Sequence, residues 1–301
     1  MADERTAEDA DGAERTVVIT GGTDGMGRAL ALERAARGDR AVAVGSNHAK
    51  GDRLLGDAAA LNLQDRVEFV RADLSTVAGN SAVIDHVAAR YNAIDALVLA
   101  ANRQSPKRIE TIDGFESTFA LYYLSRHMLS HGLVPALSRS AAPVVVNVAA
   151  VGLTAGKIHW EDLQLRRRYR TVAAQLQAGR ANDLLGVAFA DRHQGTVPYV
   201  LYHPGFTRSG DSAMERTGPL MRAAIKALAA VAARPVAESI EPIHAFIDSP
   251  PSAPLTAIDR GRPVPLGLKT LDASAARRLE QITDRLLEVR EAQSADDVGR
   301  E

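Results

Sequence analysis

The chain has 301 residues, 46% of them hydrophobic and 24% charged, with a formal net charge of -1. Such a composition supports a sizeable core and leaves no global field to recruit nucleic acid or an anionic membrane. Cysteine is absent, which excludes disulfides, thiolate metal sites and cysteine nucleophiles, and no run reaches the roughly 18 apolar residues of a spanning helix.

Residues 1–15, MADERTAEDADGAER, are acidic and lack the apolar stretch of a signal peptide. They read as a flexible leader, with the cytoplasm as default location. Residues 16–290 then alternate short β-rich runs with amphipathic stretches. Thr16–Thr20 reads as a strand, followed by a glycine turn and a helix over Met26–Arg37. Ala41–Val44 is a second strand, and a helical stretch follows through Leu54, Leu55 and Leu61. Val67–Val70 is a third strand, Thr76–Tyr91 a helix and Ile94–Leu99 a fourth strand. Gly114–Leu137 is a long helix, Pro143–Val148 a fifth strand, Thr171–Phe189 a helix and Val197–Tyr202 a sixth strand. This alternation predicts βαβ units around a parallel sheet buried on both faces. Leu220–Ala233 and Ala237–Ile247 read as further helices, Ser249–Leu255 as a Pro-rich loop, and Ala273–Val289 as a last amphipathic helix. Residues 291–301 read as a flexible tail. No second-domain linker interrupts 16–290, so a single dinucleotide-binding domain is expected there.

Thr20-Gly21-Gly22-Thr23-Asp24-Gly25-Met26-Gly27 lies where a strand feeds a helix, the context that gives a glycine turn meaning. Glycines let backbone approach a pyrophosphate, and the helix N-terminus presents free N–H groups and a positive dipole end. Gly21, Thr23, Asp24, Gly25, Met26 and Gly27 are therefore candidate cofactor residues. At the end of the second strand, Gly45-Ser46-Asn47-His48-Ala49-Lys50 lacks the acid that binds ribose hydroxyls of NAD. Ser46, Asn47 and Lys50 could hold a 2′-phosphate, which favours NADP(H) over NAD(H), although Asp24 adds negative charge on the same side.

These residues resemble the short-chain dehydrogenase/reductase superfamily, in its retinol-dehydrogenase-like branch, over most of residues 16–290. Thr20–Gly27 resembles its TGxxxGxG turn, and Asp73-Leu74 the pair that meets the adenine ring. Asp95-Ala96-Leu97-Val98 resembles the fourth strand, and Gly114–Ala120 the start of the long helix. His203-Pro204-Gly205-Phe206-Thr207 resembles the PG motif after the sixth strand. The resemblance implies a Rossmann-like, doubly wound α/β fold with a mainly parallel sheet of about seven strands. It also implies homodimers or homotetramers, a small-molecule substrate, and cofactor contacts at Asp73, Leu74, Ala100, Pro204, Gly205 and Thr207.

The family's chemistry uses Asn, Ser, Tyr and Lys, and the motif positions here hold none of them. Tyr122 stands at the Asn position, Ala150 at the Ser position, Gln175 at the Tyr position and Gly179 at the Lys position; the NNAG signature has become Leu99-Ala100-Ala101-Asn102. Neither Gln175 nor Ala150 supplies a useful proton near neutral pH. Tyr122 and Arg126 stand four apart and share a helix face, as do Tyr123 and His127. Either Tyr122 is a relocated proton donor with Arg126 beside it, or these side chains pack in the helix interface. His159, Trp160 and the basic run Arg166–Arg170 border the expected cleft and could meet a substrate, or simply pin and solvate that loop. The expected activity is an NADP(H)-dependent oxidoreductase of a small carbonyl or alcohol, with Tyr122 and Gln175 at the non-standard catalytic positions. A non-redox enzyme on the same scaffold and a non-catalytic dinucleotide-binding protein remain as alternatives.

Overall fold

The computed structural model describes residues 14–205 and 235–298. Strands β1 (Thr16–Thr20), β2 (Arg40–Gly45), β3 (Val67–Arg71), β4 (Ala96–Leu99), β5 (Val144–Val148) and β6 (Tyr199–His203) form as the β-branched runs predict. With β7 (Leu255–Asp259) and β8 (Arg262–Pro263) they make one sheet in the order β3-β2-β1-β4-β5-β6-β7-β8. All neighbours are parallel except β7 and β8. This is a Rossmann-like α/β fold, and its strand order reverses between β1 and β4. Ligands of such sheets bind outside the strands' carboxyl ends at that switch point.

The helices are α1 (Gly25–Ala36), α2 (His48–Ala60), α3 (Val77–Arg90), α4 (Ser117–Phe119), α5 (Ser125–Gly132), α6 (Val134–Leu137), α7 (Thr171–His193), α8 (Val236–Asp248) and α9 (Ala273–Val298). Successive strand side chains alternate between two cores. Val18, Leu97, Val145 and Leu201 pack with Phe119, Tyr123, Phe189 and Leu279 on the face of α5, α7 and α9. Val17, Ile19, Val98 and Val146 pack with Leu30, Leu54 and Ile243 on the face of α1, α2 and α8. Side-chain caps fix where helices begin: Asp24 accepts from Gly25 N, Asn47 from Lys50 N and Thr76 from Gly79 N.

Three features depart from the sequence reading. The long fourth helix contains a π-helical turn, Ala120–Leu124, between α4 and α5; such turns place one extra residue in a helix and recur at functional sites. Residues 255–259 form β7, hidden in the sequence by flanking prolines, and a two-residue turn leads back into β8. In that turn Arg260 (φ 50°) and Gly261 (φ 83°) are both left-handed, the backbone a tight hairpin requires. Helix α9 runs on to Val298 because no Gly or Pro interrupts it before Gly299. The expected helix at 220–233 lies outside the described residues.

Candidate functional site

The glycine turn is a backbone cradle that side chains would fill. Gly21 and Gly25 have φ of 68° and 50°. A Cβ on Gly27 would stand 2.3 Å from the Gly21 carbonyl oxygen, and one on Gly21 would stand 3.0 Å from the Ala101 backbone. Glycine is therefore required for packing as well as for φ. Thr20 Oγ1 accepts from Ala100 N (3.1 Å) and Ala101 N (3.2 Å), tying β1 to the chain leaving β4 at the switch point. The residues present fit a dinucleotide: bare backbone at the turn, the start of α1 behind it, and a cleft of about 520 Å³ beside Thr23, Asp24 and Gly25.

The acid at the turn is not isolated. Asp24 caps α1 through Gly25 N (2.8 Å) and forms an ion pair with Lys50 from α2. Arg28 and Arg53 line the same cleft with Asp57, which pairs with Arg28; sequence reading missed all three. The signal lay in the spacing, since Arg53 stands three residues after Lys50 on a helix and so shares its face. Asn47 spends its amide oxygen on Lys50 N (3.0 Å), while Ser46 is exposed. Asp73 Oδ1 accepts from Ser75 N (3.0 Å) and Ser75 Oγ (2.7 Å). Leu74 is buried in the core and its carbonyl accepts from Asn80. Asp73 and Ser75 line a second cleft of about 450 Å³ with Arg103, Ile112 and Leu121. Pro204 is buried, Gly205 (φ 89°) packs against Arg260, and Thr207 lies outside the described residues.

At the catalytic positions the structure brings Tyr122, Ala150, Gln175 and Gly179 to the carboxyl ends of β4 and β5. Tyr122 sits in the π turn, 6% exposed, packed with Ala149 and Ala178. Its hydroxyl accepts from Ala150 N at 3.4 Å. A Cβ on Gly179 would meet only Ala150 Cβ, 4.0 Å away, so the Lys and Ser positions face each other at van der Waals distance. Gln175 pairs its amide with Asn102 in both directions (3.3 and 3.4 Å), bridging the loop after β4 to α7.

A buried polar network holds this arrangement from below. Arg126 is 1% exposed and stacks its guanidinium 4.5 Å from the Tyr122 ring centroid. It donates to Ala101 O (3.0 Å), Val148 O (2.8 Å) and Asn147 Oδ1. Burial lowers its pKa from the usual arginine range, partly offset by Tyr122 and Tyr199. Asn147 donates to Asn182 Oδ1 and Tyr199 OH (2.9 Å each), and Asn182 donates to the Tyr122 carbonyl (2.6 Å). Arg126 thus clamps the ends of β4 and β5 and fixes the tyrosine ring. The second pair, Tyr123 and His127, turns to α9 instead: Tyr123 meets Thr283 (2.8 Å) and His127 meets Asp284 (3.1 Å).

The loop after β5 is pinned from α7. Asp183, fully buried, accepts from Gly152 N (3.2 and 3.3 Å) with Arg180 Nε 4.0 Å away. Burial pushes its carboxyl up to about 7 against the pull of Arg180 and Gly152. His159 donates its backbone N–H to Gln177, and Arg278 stacks on Trp160 at 4.2 Å. Asp162 accepts from the backbone of Arg166 and Arg167, whose side chains are exposed. Trp160 therefore packs as a loop pin, and the basic run lies in solvent.

The comparisons agree with this geometry. The family model described as short chain dehydrogenase matches residues 15–161. Retinol dehydrogenase 12 of Mus musculus is 31% identical over 196 residues, covering 65% of this chain and 62% of that enzyme's length. Among solved structures, an uncharacterized protein of Mycobacterium Paratuberculosis superposes with a TM-score of 0.65 at 25% identity, covering 92% of this chain and 94% of its own. The NADP active-site complex of RhlG from Pseudomonas aeruginosa shares the fold with a TM-score of 0.64 at 20% identity, covering 84% of this chain and 97% of its own. Residues 15–161 thus match the short-chain dehydrogenase model, on a fold shared with solved short-chain dehydrogenases. The chain's relatives by sequence include retinol dehydrogenases. Among the described residues no helix is long and apolar enough to cross a membrane.

Proposed function

We propose that this chain is a nicotinamide-dinucleotide-dependent oxidoreductase of a small carbonyl or alcohol, with NADP(H) favoured, working through a non-standard site. The observation that carries the reading is the Tyr122 hydroxyl, held beside Ala150 just past the carboxyl end of β5. It accepts from Ala150 N, so its own O–H proton remains for a substrate oxygen. A bound dinucleotide supplies or takes the hydride. Gly21, Gly25 and Gly27 offer it bare backbone, while Ser46 and Lys50 stand where a 2′-phosphate would meet them. Lys50 neutralises Asp24, which supports the NADP preference. Arg126 and Asn182 hold Tyr122 in place, and a substrate oxygen meeting its hydroxyl would lie beside Ala150. Alignment of hydride and carbonyl is worth about 7–11 kcal/mol, so turnover survives loss of the usual tyrosine.

The test joins binding to turnover. NADPH fluorescence should saturate with the full chain, and a carbonyl panel should drain NADPH absorbance. Tyr122→Phe should lower kcat by at least about 10-fold with cofactor affinity unchanged. Unaltered kcat in that variant would remove Tyr122 from the chemistry. The Asn102–Gln175 bridge favours a second reading, a dinucleotide-binding protein without turnover, because it spends on structure the side chain at the proton-donor position. Saturable NADPH binding with no substrate reduced would select that reading.

A further inference from the structure

With the usual Tyr and Lys gone, Tyr122 offers a hydrogen bond to a substrate oxygen, and the carboxyl edge of the sheet holds a second group able to transfer the proton. β6 ends at His203 and β7 at Asp259, which are register partners. His203 Nδ1 lies 2.7 Å from Asp259 Oδ1. Asp259 also accepts from Arg260 Nη2 (2.9 Å), and Arg262 stands opposite it on β8. Partial burial alone would raise the carboxyl's pKa, but hydrogen bonds from Arg260 and His203 outweigh it and keep Asp259 below its ordinary value. Asp259 is the side-chain partner of the imidazole among the described residues, and His203 is about one-third exposed (32%). Among the described residues Nε2 has no hydrogen-bond partner.

The ring also stands on the correct face. Tyr199 packs against Phe189 of α7 (4.9 Å between ring centroids), and Leu201 lies against Gly186 of α7. His203 follows two residues after Leu201 and so shares that face. Ala149 N donates to Tyr202 O at 3.0 Å, which carries the β5–β6 register one step on and sets Ala149 beside His203. Neighbouring strands are about 4.8 Å apart. The carboxyl edge thus runs from Ala149, which packs on Tyr122, to His203 and then Asp259.

Resting on the oxidoreductase reading above, we propose that His203, oriented by Asp259, gives the proton to the substrate oxygen in reduction and takes it back in oxidation. The hydrogen bond from Nδ1–H to Asp259 fixes the tautomer, as in other carboxylate–imidazole pairs. In reduction the carbonyl carbon accepts a hydride, two electrons and a proton nucleus, from the reduced dinucleotide. The C=O π pair moves onto oxygen, which takes the Nε2 proton. An alcohol, an oxidised dinucleotide and a neutral imidazole result, and the imidazole regains its proton from solvent. Tyr122 donates a hydrogen bond to the same oxygen without losing its proton. Reduction then needs a proton on Nε2, and Asp259, Arg260 and Arg262 are the charged groups facing the pair.

The experiment uses the full chain with NADPH and a carbonyl panel, in wild type, His203→Gln and Asp259→Asn. His203→Gln should lose about 10²–10⁴-fold in kcat and keep its NADPH Kd within about twofold of wild type. Nitrogen-15 NMR of the wild type, independent of activity, should show neutral His203 with its proton on Nδ1, and Asp259→Asn should shift it toward Nε2. A neutral ring carrying its single proton on Nε2 in the wild type would overturn the assignment whether or not the variants fold. Full turnover in His203→Gln would overturn it while leaving the oxidoreductase reading intact. NADPH binding without hydride transfer in the wild type would instead overturn that reading, and this role with it.

Discussion

Asp183 should make the protein less stable as pH rises toward neutrality, the reverse of most carboxylates. It is fully buried beneath the loop that follows β5, and burial lifts its pKa from 3.8 to about 7. The unfolded chain therefore gives up this proton near pH 4, whereas the folded chain holds it to about pH 7. Between those values the native state binds more protons, so the group's contribution is fully present below about pH 4 and is lost as pH rises through about 7. A rise of about three units at 1.36 kcal/mol each corresponds to roughly 4 kcal/mol, an upper figure. Asp183→Asn keeps the shape and an acceptor for Gly152 N–H but removes the titration. Urea unfolding of both proteins from pH 4 to 8.5 isolates the effect, because other titrating groups cancel in the difference. The variant should match wild type near pH 4 and exceed it by a few kcal/mol at pH 8. A difference that stays flat, or favours wild type at pH 8, would show that Asp183 is ionised and well paired, and the reasoning from burial would fail.

Other perturbations probe the cleft directly. Gly27→Ala forces a methyl to 2.3 Å from the Gly21 carbonyl oxygen; a fluorescence titration should find NADPH affinity reduced by at least about 10-fold and stability by about 1–3 kcal/mol. Lys50→Ala leaves the Asp24 carboxylate without its cation from α2, so the NADPH Kd should rise several-fold more than the NADH Kd; equal changes would move the 2′-phosphate elsewhere. Installing the missing groups together as Ala150→Ser, Gln175→Tyr and Gly179→Lys meets no clash at Gly179, where a Cβ would touch only Ala150 Cβ. The triple variant should gain about 10²-fold in kcat or more on an accepted carbonyl. No gain would show that the Asn102 loop blocks the family's geometry.

Much of the fold could be read because parallel strands are buried on both faces. Val17–Ile19 and Ala96–Leu99 are fully buried runs, and the sequence displays them as continuous apolar segments. β7 could not be read in this way: it is a five-residue strand alternating buried and partly exposed side chains, between prolines and an Arg-Gly turn. The glycine cradle was legible because left-handed φ values favour glycine and the contacts at Gly21 and Gly27 leave no room for a Cβ. The substitutions at Tyr122, Ala150, Gln175 and Gly179 were legible as departures from a motif, but their consequences were not. The π turn, the Asn102–Gln175 bridge and the Arg126 clamp depend on contacts between segments far apart in sequence, and no local pattern encodes them. The His203–Asp259 pair joins residues 56 apart on adjacent strands, so it emerges only from the sheet order.

The central claim is that a hydride still moves in a cleft without the tyrosine and lysine. Incubating the full chain with NADPH deuterated at one face of C4 and a carbonyl panel, followed by mass spectrometry of the alcohol, tests it most directly. The account predicts deuterium from one face only on the carbinol carbon, with the transfer slowed in Tyr122→Phe and His203→Gln. Saturable NADPH binding with no deuterium in any product would contradict it and leave a protein that holds a dinucleotide without reducing anything.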